Sequence, residues 1–288
     1  MEMLNDWNPA LSSYVRELSI SLYKGHPTIV AADEQFEEVL PITLANTMNA
    51  MSKASTKLEV LKFEVEVKQI ELFRAAFASC GLTCPHVQSL VVGSCSDFMV
   101  DHCPHITTLA GTRSMWSWMN LTYRENDYAS RLLKKAAGLA NLECFALGTL
   151  WDHGSLEALG KLQVQTLLIS GGLDASFERL TEPILLLPAV EVLSIPAAFV
   201  HREARRELGD QGSDGEDPGR KARRDLQYRK AQERVAGFIF DHYPGLKELW
   251  FGTYINVRRT KDNEDDGSSG LVWSREDEVQ RPLWAAWV

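Results

Sequence analysis

The sequence predicts an α/β repeat solenoid, with parallel strands on one face and helices or loops on the other. Three observations lead there. The pattern apolar, two free positions, apolar, one free position, apolar recurs along the chain, at Val15-Leu18-Ile20, Leu58-Leu61-Phe63, Val87-Leu90-Val92, Leu142-Phe145-Leu147, Val164-Leu167-Ile169, Val190-Leu193-Ile195 and Leu246-Leu249-Phe251, with a shorter copy at Ile106-Leu109. Several copies lie 19, 22 or 26 residues apart, which is room for one strand and one short helix. Between them the apolar period changes from that of a strand to that of a helix, as at Ile70, Phe73 and Phe77.

Taken in order, residues 1–12 form a leader into the first rung, with a turn at Asn8-Pro9. Asp33 is placed to cap an acidic helical segment carrying Phe36, Val39, Leu40 and Leu44, which Pro41 should interrupt. The second rung alternates cleanly, Leu61, Phe63 and Val65 on one face and Lys62, Glu64 and Glu66 on the other. A helix follows over 67–79, and Gly81 stands where a helix-ending glycine belongs. The connector SDFMVDHCPH has room for little more than a short helix. The gaps of 43, 36 and 56 residues after Leu18, Leu109 and Leu193 read as insertions on the helical side. The second of them should hold a helix from Tyr128 to Ala137, ahead of Gly138. In the third, residues 203–220 read as a disordered insertion, dense in charge, and helical spacing resumes at Tyr228, Ala231, Val235 and Phe238, with GRKARRDLQYRK as a solvated face. Residues 257–270 read as a flexible loop and 271–288 as a C-terminal cap, with Trp284 and Trp287 covering the last rung. The whole chain, 1–288, is thus expected to be a single repeat domain.

Composition narrows the function. A net charge of −9 disfavours nucleic-acid and anionic-membrane partners, which require clustered cations. The N-terminus lacks the pattern of a signal peptide, and the longest apolar stretch, Ile184 to Val200, is broken by Pro188, Glu191 and Pro196. Five cysteines suit reduced thiols in the cytoplasm or nucleus better than a disulfide framework, which leaves the sequon at Asn120 unused.

Short joints precede several rungs: Cys84-Pro85-His86, Cys103-Pro104-His105 and, more loosely, Tyr243-Pro244-Gly245 and Leu187-Pro188-Ala189. Together with the rungs they resemble irregular leucine-rich repeats, and more narrowly the repeat region of fungal F-box/leucine-rich-repeat-type proteins, over residues 13–255. The resemblance implies a leucine-rich-repeat solenoid that binds protein, with ubiquitin-ligase substrate recognition as the narrower role. The chain departs from the pattern in two ways. Of the turn positions where Asn or Cys is usual, only Cys95 conforms, and the twelve residues ahead of the first rung are too short to hold an F-box.

Other constellations carry less. Cys80, Cys84, His86, Cys95, His102, Cys103 and His105 crowd into 26 residues, but without CxxC or HxxxH spacing they read as structural, so no metal or other cofactor is expected. Asp152-His153 could pair a base with a carboxylate, yet no third member or phosphate loop accompanies it, and Ser170 to Asp174 reads as a strand-to-helix turn. A metal-dependent or hydrolytic enzyme built on one of these groups is the alternative to an interaction scaffold. No catalytic residue is assigned. The scaffold reading puts an unknown protein partner on the outward positions of the strands, with Lys62, Glu64, Ala146, Leu168, Val192 and Trp250 as its contacts. Leu168 is apolar where a solvated strand would prefer a polar residue, so either a partner meets it or another part of the chain covers it.

Overall fold

The computed structural model describes residues 14–22, 35–54, 57–65, 69–93, 95–112, 128–148, 158–169, 187, 189–197, 200, 218–252, 255–259 and 270–275. The chain divides into two compact units, Met1–Glu143 and Cys144–Val288, where the repeat pattern alone favours a single domain. Both are α/β with mostly parallel strands.

The first unit carries four parallel strands in chain order, β1 (Glu17–Leu22), β2 (Val60–Val65), β3 (Ser89–Val92) and β4 (Thr108–Gly111). Register is set by the apolar rungs, because Leu18, Leu61, Leu90 and Leu109 stand opposite one another. A one-residue slip would turn every one of them to the other face. Leu61, Leu90 and Leu109 are fully buried. Around them Phe63, Phe73, Phe77 and Phe98 meet edge to face at centroid distances of 5.4 to 6.1 Å, the arrangement that the ring quadrupole favours.

Among the described residues of this unit, three helices and a 3₁₀ segment accompany these strands. Helix α1 (Gln35–Ala54) passes through Pro41 instead of breaking there. Proline costs one backbone hydrogen bond, about 3 kcal/mol, in a helix interior. Burial of Leu44, Ala45, Met48 and Met51 along one face outweighs that cost. Val39, one of the apolar residues of that segment, is exposed. Helix α2 (Ile70–Ser79) buries Ile70, Phe73, Ala76 and Phe77, as its spacing predicts. It ends in a Schellman turn: Gly81 at φ 61° donates to the Ala78 carbonyl at 3.2 Å, and Leu82 donates to that of Phe77 at 3.1 Å. The short connector between β3 and β4 is a 3₁₀ segment (Asp97–His102). Helix α3 (Tyr128–Ala136) lies where the sequence places it and buries Tyr128, Ala129, Leu132, Leu133 and Ala136.

The second unit begins with four parallel strands, β5 (Cys144–Leu147), β6 (Thr166–Ile169), β7 (Val192–Ile195) and β8 (Glu248–Phe251). Phe145, Leu167, Leu193 and Leu249 form their buried row. Strand β9 (Ile255–Arg259) then adds antiparallel to β8, and β10 (Leu271–Arg275) adds antiparallel to β9. Residues 257–259 are therefore strand where the sequence suggests loop, because Val257 continues the Leu249 row and is itself fully buried. Helix α4 (Pro218–His242) starts ten residues before the expected resumption at Tyr228, so 218–220 are helical and not part of a disordered insertion. Its first described turns are exposed, and it buries Ala231, Val235 and Ile239 at four-residue spacing. Phe238, which shares the predicted helical spacing, is 37% exposed and stacked on His242 at 4.1 Å.

The leader 1–12, the proposed cap Asp33, Asn120, residues 203–217, 260–269 and 276–288, with Trp284 and Trp287, lie outside the described residues.

Candidate interaction surface

Each strand presents two rows on the side opposite the leucine core. The first row comes from the opening residue of each strand. In the first unit Glu17, Val60, Ser89 and Thr108 stand side by side. In the second unit Cys144, Thr166, Val192 and Glu248 do the same. All but the exposed Glu17 are half-buried. At the ~4.8 Å spacing of paired strands, four such residues make a strip about 14 Å long.

The second row, two positions further on, behaves differently. In the second unit it comprises Ala146, Leu168, Ser194, Trp250 and Asn256, joined in register. Their exposures are 2%, 1%, 5%, 1% and 1%. Ala146, Leu168 and Trp250 are thus enclosed by the chain itself and are not outward contacts. The physical reason is that a parallel sheet is ordinarily covered on both faces, so strict alternation of buried and solvated residues does not apply. In the first unit the row grades from exposed Ser19 through half-buried Lys62 to Val91 and Ala110, at 8% and 1%.

The buried polar members of that row are held by specific partners. Trp250 donates its Nε1–H to Glu248 Oε2 at 3.2 Å, and the Asn256 amide donates to the same oxygen at 3.3 Å. Arg258 Nη2 reaches the other oxygen, Oε1, at 2.8 Å. Glu248 therefore spans β8 and β9 and orients the indole from the strip. The Ser194 hydroxyl donates to the Gly252 carbonyl at 3.2 Å, which closes the end of β8.

Of the six residues that the sequence singles out, Val192, Lys62 and Glu64 remain half-exposed. Lys62 Nζ lies 2.7 Å from Glu17 Oε1, an ion pair between β1 and β2. Glu64 folds over Gly93: a Cβ added to that glycine would come within 2.2 Å of Glu64 Cγ. The first-row residues were visible in the sequence only as flanking positions. Their signal was size, since Ser89, Thr108, Cys144 and Thr166 are all small.

The cysteine and histidine cluster separates into different environments. Cys84 and Cys103 are buried at equivalent joints, with the Cys84 amide donating to the His102 carbonyl at 2.7 Å. Their thiols touch: the hydrogen bond from Cys103 lowers the Cys84 pKa, and the same contact together with burial pushes Cys103 well up. His86 and His105 are exposed, and the His102 ring meets the Leu82 carbonyl at 2.9 Å. All five cysteines are free thiols. Among the described residues no three His, Cys, Asp or Glu side chains are grouped to hold a metal ion. Asp152, His153 and the turn 170–174 lie outside the described residues.

A buried polar cluster fixes helix α3. Asp97, 3% exposed at its side chain, pairs with Arg131 at 3.2 Å, and the Tyr128 hydroxyl donates to the Val92 carbonyl at 3.1 Å. Burial first, then the nearby Asp97, Cys95 and Glu64, push the Tyr128 phenol well above its ordinary pKa. Cys95 occupies the turn after β3 at φ 62°, in the left-handed region that few non-glycine residues adopt.

Among the described residues no helix is long and apolar enough to cross a membrane. Comparison with protein-family models, with curated proteins and with solved structures returned no match to this chain.

Proposed function

We propose that this chain is an irregular leucine-rich-repeat scaffold of the cytoplasm or nucleus, which binds another protein through the first row of its strands. One observation carries the reading: half-exposed, mostly small side chains stand in register at the start of successive parallel strands, as in Cys144, Thr166, Val192 and Glu248. Small residues let a partner's backbone approach, and the fixed spacing of the strands gives that partner a periodic template. The Cys-Pro-His joints support a narrower reading, substrate recognition of the F-box-like type. An interaction role suits this strip better than a catalytic one, because it is lined mainly by Val60, Ser89, Thr108, Thr166 and Val192, while the Cys84–Cys103, Asp97–Arg131 and Glu248 groups serve packing, helix anchoring and strand linkage.

Introducing bulk into the strip tests the proposal. Thr166→Arg and Ser89→Arg should each remove the protein that copurifies with the wild-type chain and leave the thermal midpoint within about 2 °C, since surface substitutions change stability little. Arg224→Ala, on the exposed part of α4, serves as the control and should retain it. Retention of the partner by both strip variants would overturn the reading.

A further inference from the structure

We propose that two copies of this chain pair edge to edge through β1, antiparallel about a two-fold axis at Ile20. The strand is the first in the order of its sheet, and among the described residues no strand lies beyond it. The direction of its backbone groups follows from one contact: the Arg16 carbonyl accepts from the amides of Glu59 and Val60 at 2.9 and 3.0 Å. The N–H and C=O of one residue in a strand point to the same edge, and the direction alternates along the chain. Arg16, Leu18, Ile20 and Leu22 therefore address β2. Glu17, Ser19 and Ser21 present their N–H and C=O groups to the opposite edge.

That edge fits itself. Residues 18–22 read Leu-Ser-Ile-Ser-Leu, the same in both directions. With two copies antiparallel about Ile20, Ser19 of one faces Ser21 of the other, and these are the residues whose backbone groups point outward. Each such pair exchanges two hydrogen bonds, so the two pairs supply about four between the copies. On the core side Ile20 meets Ile20 and Leu18 meets Leu22 as closely spaced pairs, about 4.5 Å between Cα atoms. A register displaced by one residue would set serine against isoleucine and turn one core row to the other face.

The apolar row of β1 is also incompletely covered within the chain. Leu18, Ile20 and Leu22 are half-buried, whereas their neighbours Leu61, Phe63 and Val65 on β2 are 0%, 1% and 2% exposed. Edge strands that stay single are usually guarded by lysine, proline or a bulge. Over 18–22 there is no charged residue and no proline. Glu17, the one charge on β1, lies at its end and pairs with Lys62, so among the residues of β1 no like charges face each other across the axis. A strand from a different protein would also satisfy the open edge, but it would not require the palindrome.

Sedimentation velocity of the full 288-residue chain should show a species of twice the 32.3 kDa monomer, with reversible dissociation on dilution. Ile20→Lys brings two ammonium groups together at the axis. Ser19→Pro deletes an outward N–H that makes no bond to β2, so it separates loss of pairing from loss of folding. Both should weaken dimerisation at least tenfold, and Ser19→Pro should leave the far-ultraviolet circular dichroism and thermal midpoint unchanged. Under mild oxidation Ile20→Cys should give a disulfide-linked dimer on a non-reducing gel, which Ser19→Cys, placed opposite Ser21, should not. A wild-type chain that stays monomeric at all concentrations overturns the proposal. So does a dimer that survives Ser19→Pro, or an Ile20→Cys chain that fails to cross-link.

Discussion

Replacing Trp250 by alanine distinguishes the two positions the indole could take, outward on a strand face or enclosed. The residue is 1% exposed and its Nε1–H is bonded to Glu248. An indole of about 200 Å² removed from water at about 25 cal/mol per Å² contributes ~5 kcal/mol. Large-to-small changes in cores fall at about 3–5 kcal/mol once partial collapse is allowed. Loss of the hydrogen bond adds little, because Glu248 keeps Arg258 and Asn256. Trp250→Ala should therefore destabilise by about 4 kcal/mol, and Trp250→Phe, which keeps most of the volume, by about 1–2 kcal/mol. Equilibrium urea unfolding followed by circular dichroism measures both, read as a shift in midpoint at constant slope. A loss below about 1 kcal/mol for Trp250→Ala would mean that the indole is accessible, and the distinction between the two rows would fall with it.

Gly93→Ala should cost about 1–3 kcal/mol, because the new methyl collides with Glu64 Cβ, Cγ and Cδ, and Cβ cannot move without the backbone; adding Glu64→Ala should recover most of the loss in a double-mutant cycle. Arg131→Ala should cost about 3 kcal/mol by leaving the buried Asp97 carboxylate without its cation, and Asp97→Ala should cost less because Arg131, 37% exposed, can return to water. Burial raises the pKa of both Tyr128 and Tyr243, so the unfolded chain releases these protons near pH 10 while the folded chain keeps them. Their contribution to stability is then complete below about pH 10 and declines above it by about 1.4 kcal/mol per pH unit for each tyrosine, a slope that Tyr128→Phe should halve in unfolding experiments at graded pH. Tyr128→Phe should also cost about 1 kcal/mol at neutral pH through its bond to Val92, whereas Tyr243→Phe, whose buried hydroxyl makes no hydrogen bond to the chain, should be neutral or stabilising.

The eight rungs were legible because a buried strand repeats its signal in a form that local context does not blur. Leu18, Leu61, Leu90 and Leu109 are set in register by the same spacing that identifies them, and so are Phe145, Leu167, Leu193 and Leu249. Helices α2 and α3 were legible through their apolar faces, and the end of α2 through Gly81. Three features were hidden, each where a local rule met a stronger tertiary one. Pro41 signalled a break that burial of Leu44 and Met48 overrides. Strand β9 was masked by its polar composition, since Asn256, Arg258 and Arg259 look like loop until Glu248 and Asp241 are placed beside them. The second row was misassigned because alternation was read as buried against solvated, although Val91, Ala110, Ala146, Leu168 and Trp250 already formed an apolar series on the supposed outer face. That series is the signature of a sheet covered on both sides.

In the proposed scaffold role, the same covering decides where a partner would bind. With Ala146, Leu168 and Trp250 enclosed, the strip left to a partner is the first row, close to the joints that lead into each strand. Three pairs of charges beside it are joined within the chain: Lys62 to Glu17, Lys247 to Glu191 at 2.7 Å, and Arg258 to Glu248. An incoming charge would have to displace one of these pairs, and exposed pairs of this kind are worth no more than about 1 kcal/mol, so the exchange gains little in either direction. At these three pairs discrimination by charge is correspondingly weak. What remains is shape within each unit: Ser89 and Thr108 are low beside Val60 in the first, Cys144 and Thr166 are low beside Val192 in the second, and each relief is fixed by its own strand register. A partner recognised there is selected by how closely its main chain and small side chains follow that relief, which makes added bulk at Thr166 or Ser89 a more damaging change than the loss of any single charge.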